Sequence, residues 1–186
     1  MRVVAGTAGG IHLETPKHEM RPTMDKVKSA IFSSLGESVT GARVLDLFAG
    51  SGALAIEAMS RGASEATLVE SNIKALVAIA SNLKKTRLQA TVCREDVFRF
   101  LDRTSAQNDL IFADPPYAKS LGAVDYAGML CRSEALVRVL APNGLFILER
   151  SPGSAQSADT RFRLVRQKRY GASEVLILTH AEAASL

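Results

Sequence analysis

The sequence predicts an α/β protein: a mostly parallel, seven-stranded sheet with helices on both faces and an antiparallel hairpin at its end. Three observations predict it. From residue 43 onward, short apolar runs of strand character alternate with amphipathic helical patterns, the signature of a parallel sheet crossed by helices. A Gly-rich turn follows the first of those runs directly. The alternation then stops near the end, where two strand-like runs are separated only by "GA" (171–172).

The elements follow in order. "RPTMDKVKSAIFSSL" (21–35) reads as a helix capped by Thr23, with Met24, Val27, Ile31 and Leu35 on one face. "RVLDLF" (43–48) is the first strand, and the helix through "ALAIEAMSR" is closed by Gly62. "EATLVE" (65–70) is the second strand, followed by a helix over 72–86 with Ile73, Leu76, Val77, Ala80 and Leu83 in phase. "ATVCRED" (90–96) is the third, with a short helix through Phe98 and Leu101. "LIFA" (110–113) is the fourth; a single helix over 128–140 leads to "GLFILE" (144–149). A polar loop, 151–159, precedes the hairpin strands 162–171 and 173–180.

The 186 residues suit one domain with a small N-terminal extension, 1–20, ahead of the main domain, 21–186. Apolar residues make up 47% and charged ones 23%, ordinary for a globular protein. No apolar run approaches the roughly 20 residues needed to span a bilayer, and the N-terminus turns polar too soon for a signal peptide. A cytoplasmic location and no membrane partner are expected. Cys93 and Cys131 stand apart and there are only three His, which argues against a metal site or disulfide framework.

The net charge of +4 is unevenly placed. Between residues 150 and 170 stand Arg150, Arg161, Arg163, Arg166, Lys168 and Arg169 against the single acid Asp159. The N-terminal part adds Arg2, Lys17, Arg21, Lys26 and Lys28. Clustered cations suggest a polyanionic partner, although charge alone leaves a solvated basic strand face equally open.

Ligands of open α/β sheets bind at the carboxyl ends of the strands, and four of those ends carry acids: Asp46, Glu70, Asp96 and Asp114. "GSGALA" (50–55) satisfies the dinucleotide pattern G-x-G-x-x-A. Asp46, four positions earlier, would repel a pyrophosphate but suits a ligand bearing an ammonium and a sulfonium. S-adenosyl-L-methionine is such a ligand. Gly50 and Gly52 let the backbone approach it, Glu70 suits its ribose hydroxyls, and Asp96 its adenine amine.

"DPPY" (114–117) ends the fourth strand. Pro115 and Pro116 have no N–H and fix φ near −65°, so they stop the strand and set where the Pro115 carbonyl points. Asp114 and that carbonyl can accept both hydrogens of an aromatic amine, freeing its delocalised lone pair to attack a sulfonium methyl. Tyr117 offers a face on which a base can stack.

With these motifs in order, the chain resembles the Rossmann-like class I methyltransferases. More narrowly, it resembles the RsmD family of 16S ribosomal RNA guanine-N2 methyltransferases. The motifs "RPTMDKVKSAIFSSL", "VLDLFAGSGALAIEAMSRGA", "LVESN" and "DPPY" and the terminal hairpin carry that resemblance over nearly the whole chain. It implies that Asp46, Phe48, Ala49, Gly50, Gly52, Glu70, Ser71, Asp96 and Val97 hold S-adenosyl-L-methionine, with Arg21 and Thr23 closing over the site. It implies that Asp114, Pro115, Pro116 and Tyr117 face a guanine. The implied partner is 16S rRNA in a small subunit or an assembly intermediate, met by a monomer.

One departure is that "TAGGIHLETPKH" (7–18) lacks the several Lys and Arg that family members carry there. If that segment grips RNA, the grip here is weaker or moved toward the hairpin, where contact is expected at Arg166, Lys168 and Arg169. DNA adenine-N6 methyltransferases share "DPPY", but generally need a target-recognition region for which only residues 1–42 are available before the sheet. Protein-glutamine methyltransferases carry Asn where this chain has Asp114. An NAD(P)-dependent oxidoreductase remains open on "GSGALA" alone, as does a catalytically silent RNA-binding module.

Overall fold

The computed structural model describes residues 1–15, 24–117, 124–152 and 161–181. Its sheet contains β1 (Arg43–Leu47), β2 (Glu65–Val69), β3 (Thr91–Cys93), β4 (Asn108–Ala113), β5 (Leu140–Arg150), β6 (Phe162–Tyr170) and β7 (Ser173–His180). The spatial order is β3-β2-β1-β4-β5-β7-β6. Neighbours among β1 to β5 pair parallel, while β7 pairs antiparallel with both β5 and β6. β7 therefore lies between its two predecessors and alone runs against the sheet.

Helices cover both faces, so the central strands read as continuous apolar runs. On one face, α1 (Met24–Leu35), α2 (Ala53–Ser60) and α3 (Ile73–Thr86) pack through residues such as Ile31, Phe32, Ala55 and Ile79 onto Val44, Leu68, Phe112 and Ile177. The Phe32 and Phe112 rings lie 5.7 Å apart. On the other, α4 (Val97–Arg103), α5 (Tyr126–Arg132) and α6 (Glu134–Val139) bury Leu101, Leu130 and Leu136 against Leu45, Ile111, Phe146 and Leu176.

The stretch read as one helix over 128–140 is two. It breaks at Ser133, whose Oγ accepts the Leu136 N–H at 3.1 Å and caps α6. The chain then enters β5 at Leu140, four residues earlier than the apolar run suggests. The expected Thr23 cap falls outside the described residues.

Residues 1–15 form a strap, folded back on itself by an Arg2–His12 bridge, that buries Val3, Ala8 and Leu13 against Ala53 and Ile56. Backbone N–H groups of Val4 and Ala5 donate to Glu57 at 2.7 and 3.1 Å. The Ser60 hydroxyl accepts from Ala8 and donates to the Ala5 carbonyl. Gly6 sits at φ +83° with the space for a Cβ already filled by the Ser60 carbonyl. Asn82 donates to the carbonyls of Glu14 and Ser51, each at 2.9 Å, so the strap is tied to the Gly-rich turn.

Candidate active site

Side chains alternate across a strand. Leu45, Leu47, Ala113 and Leu148 belong to the core opposite α1. Asp46, Asp114 and Glu149 therefore face the α1 side of the sheet. There, at the carboxyl ends of the strands, lies a cleft of about 540 Å³ whose roof includes Val27, Lys28 and Ile31 of α1. Asp46, Phe48, Ala49, Gly50, Glu70, Ser71, Asp96 and Val97 line it, as do all four residues of "DPPY".

The turn after β1 is conformationally costly. Phe48 stands at φ +60°, an unusual value for a bulky residue. Its ring meets Tyr126 edge-on at 5.6 Å, and Tyr126 stacks on Phe98 at 6.3 Å, so an aromatic wall accompanies the strained residue. Gly50 follows at φ +54°. Gly52 does not line the cleft. At φ +76°, a Cβ there would meet Leu68 Cδ2 at 2.9 Å, so packing beneath the turn demands this glycine rather than access to a ligand.

Each acid is held in a different way. Glu70 accepts the Gly50 N–H at 2.8 Å and the Asn72 N–H at 2.7 Å, one on each oxygen, which shapes the turn. Asp46 accepts the Ala55 N–H at 3.1 Å. Burial pushes its carboxyl up to about 7, and the nearby Glu70 charge adds to the effect against that hydrogen bond. Asp96 caps α4, with Oδ1 accepting from Phe98 and Arg99 at 3.0 and 3.2 Å; Oδ2 is the atom available to a ligand.

In "DPPY", Pro115 is buried and Pro116 exposed, which turns the chain outward. The Tyr117 hydroxyl donates to Glu149 Oε1 at 3.0 Å and lies 3.0 Å from Ser173 Oγ. The ring is thus tethered to β5 and β7 through its polar end. That tether gives the hydroxyl a structural role beside the stacking face that the sequence suggests.

Sequence reasoning passed over Glu149 and Tyr126, which also line the cleft. Glu149 had a signal: it ends "FILE" as the other acids end their strands. Tyr126 had none. Arg21 and Thr23 lie outside the described residues. Arg166 and Lys168 lie opposite Ile177 and Val175 on the α1 face of the sheet, and Arg166 reaches Ser34 Oγ at 3.3 Å. Arg169, opposite Glu174, points to the other face, so the three cations do not form one patch. Among the described residues, no group of three or more His, Cys, Asp or Glu is placed to hold a metal, and none of the helices is long and apolar enough to cross a membrane.

The donor set fits a cationic ligand. Among the described residues Lys28 is the cationic side chain lining it, but its ammonium is occupied by the Arg2 carbonyl at 2.6 Å and Glu57 at 2.9 Å. Among the described side chains a diphosphate would face Asp46 and Glu70 with no free cation to balance it, whereas a ligand carrying an ammonium would relieve the buried Asp46.

Fold and site together define a Rossmann-like class I methyltransferase, for which S-adenosyl-L-methionine is the cofactor. A family profile described as "Conserved hypothetical protein 95" matches residues 1–179. The chain is 30% identical over 177 residues to ribosomal RNA small subunit methyltransferase D of Haemophilus influenzae, covering 92% of this chain and 89% of that protein. The Escherichia coli protein of the same name is 34% identical over 123 residues, 65% of this chain and 62% of its own length. Among solved structures, the putative methyltransferase yhhF of Escherichia coli superposes with a TM-score of 0.81 at 29% identity, covering 97% of both chains. The Thermus thermophilus 16S rRNA N2 G1207 methyltransferase, solved with AdoMet and guanosine, gives 0.69 at 25% identity, covering 88% of this chain and 44% of that one. This chain belongs to the RsmD family, the ribosomal RNA small subunit methyltransferase D proteins.

Proposed function

We propose that the protein transfers a methyl group from S-adenosyl-L-methionine to the exocyclic N2 amine of a guanine in 16S rRNA. It acts as a cytoplasmic monomer on a small ribosomal subunit or an assembly intermediate. The observation that carries this reading is the convergence of Asp46, Glu70 and Asp114, with a tethered Tyr117, on one cleft. The family's names for its members support the RNA class.

When bound, S-adenosyl-L-methionine supplies an electrophilic methyl group. Asp46 balances its ammonium, Glu70 accepts from ribose hydroxyls through lone pairs that Gly50 and Asn72 leave over, and Asp96 Oδ2 accepts from the adenine amine. Phe48 and Val97 supply apolar walls, while Ala49, Gly50 and Ser71 contribute backbone. Arg21 and Thr23 keep their proposed closing role.

The target base stacks on Tyr117. Asp114 and the Pro115 carbonyl accept its two amine hydrogens, which turns the nitrogen lone pair toward the methyl group. Positioning and preorganised charge supply most of the acceleration. The methylated nitrogen is acidic and loses its proton readily, so no strong base is needed. RNA leaving the cleft along the α1 face meets Arg166 and Lys168; Arg169, on the far face, serves only RNA that wraps around the sheet edge.

Mass spectrometry of nucleosides from ribosomal RNA, with and without the gene, tests this reading. N2-methylguanosine should fall by one residue per small subunit. An unchanged nucleoside profile rules the proposed substrate out.

A further inference from the structure

Asp114 and Glu149 stand side by side. β4 and β5 run parallel with Ala113 opposite Leu148, and Asp114 and Glu149 each follow directly on that pair, where the two backbones run about 5 Å apart. Both line the cleft. Asp114 has a part in the chemistry proposed above, but nothing in methyl transfer itself calls for a second carboxylate beside it.

The surroundings of Glu149 show what it is arranged for. Its Oε1 accepts the one proton the Tyr117 hydroxyl can donate, and Ser173, 3.0 Å from the same phenol oxygen, must then donate to it. Stacking ring, carboxylate and β7 hydroxyl are therefore braced as one unit. Among the described residues no donor bonds Oε2. A base stacked on Tyr117 with its exocyclic amine at Asp114 presents the neighbouring ring position to Glu149. In guanine that position is N1–H, a donor. In adenine it is N1 with a lone pair.

We infer that Glu149 is the residue that selects guanine, by accepting its N1–H while Asp114 accepts from N2. The inference rests on the guanine-N2 reading above. A carboxylate held against a lone pair is unpaired and repelled, and sites built for a hydrogen bond reject analogues that lack it far more strongly than apolar pockets reject a missing methylene. The pair of acids thus divides the work: one activates the amine and the other reads the base.

The test uses 2,6-diaminopurine riboside, which keeps the amine at the guanine N2 position but carries a lone pair at N1. Small-subunit particles are reconstituted with guanosine or diaminopurine at the target, once nucleoside mass spectrometry has located it. Single-turnover methylation is then measured for the wild type and Glu149→Gln. The wild type should prefer guanine by about 10²-fold or more. In the variant the amide can donate to N1, and the preference should collapse to within about tenfold or reverse. Cofactor affinity and melting temperature should hold. Tyr117→Phe, which releases the carboxylate but keeps the ring, should lower the preference severalfold and covers the case of an inactive Glu149→Gln. A preference unchanged in both variants, whatever their rates, overturns the role of Glu149. If wild-type enzyme makes no N2-methylguanosine on guanosine particles, the functional reading itself fails and this inference with it.

Discussion

Lys28 Nζ lies 2.9 Å from Glu57 Oε2, and the two side chains are only 3% and 0% exposed. The same carboxylate accepts from the Val4 and Ala5 N–H groups and from Arg61. One buried acid thus joins the strap, α1 and α2 beside the cleft. Burial alone would raise its carboxyl, but the Val4 N–H, Lys28 and Arg61 outweigh burial and hold it below the ordinary 4.5. Removing one member of a buried ion pair costs about 3–5 kcal/mol. Glu57→Ala should lose stability on that scale in denaturant unfolding and open residues 1–15 to limited proteolysis. Because the folded carboxyl titrates low, this stabilisation is full above pH 4.5 and is lost as pH falls through the lower folded value. Glu57→Gln should therefore show a shallower acid transition than the wild type.

Asp46 carries the opposite sign. Its carboxyl is raised from 3.8 to about 7, so between those values the folded protein holds a proton that the unfolded chain has released. Stability of the cofactor-free protein should fall as pH rises from about 4 to 7, by on the order of 4 kcal/mol, and level off above. Asp46→Asn should flatten that slope. Binding of S-adenosyl-L-methionine favours the ionised form, so affinity should rise toward pH 7 with release of about one proton below it. Calorimetry in buffers of different ionisation enthalpy measures the proton; identical heats would dismiss the charge pairing.

Asp114→Asn keeps the shape of the side chain and removes its charge. In the proposed mechanism the carboxylate acts on the target amine, so cofactor affinity should stay near normal while single-turnover methylation falls about 10²-fold or more. Methylation at the wild-type rate would reduce Asp114 to a strand-end cap.

Tyr117→Phe retains a ring for stacking but loses the bonds to Glu149 and Ser173. A hydrogen bond to a charged acceptor contributes about 1.5–3 kcal/mol. We expect methylation of guanosine particles to slow by about tenfold or more, in KM as well as kcat, since the base loses its fixed platform. Wild-type kinetics would mean that the ring holds its place through packing alone.

On β6, register separates the cations by face. Arg166→Ala with Lys168→Ala should weaken RNA binding across sequences and reduce the slope of log K against log salt by about two phosphate contacts. Arg169→Ala, on the opposite face, should change the slope by less than one. Equal slopes for the double variant and the wild type would return Arg166 and Lys168 to solvent.

The parallel sheet and the terminal hairpin were legible because both depend on local patterns: apolar runs, helical phase and the two-residue "GA" turn. The cofactor end was legible because acids at strand ends are visible one at a time. What stayed hidden depends on distant partners. The strap is held by Glu57, Ser60 and Asn82, more than fifty residues away, and no pattern in residues 1–15 announces it. Tyr126 reaches the cleft only because α5 is placed beside Phe48 and Phe98. The break before α6 was readable: Ser133 followed by Glu134 is a helix start, masked by the apolar phase that continues across it.

The position of β7 has a consequence for the order in which the protein is made. β6 leaves the ribosome first, yet among the described strands it pairs with β7 alone, so it waits unpaired while β5 also keeps an open edge. Ser173, the first residue of β7, reaches Tyr117 only when that strand enters the gap. The wall around Tyr117 is therefore the last part of the described sheet to close, and released chains truncated before residue 173 should expose β5 to protease while β1, β2 and β4 are already paired.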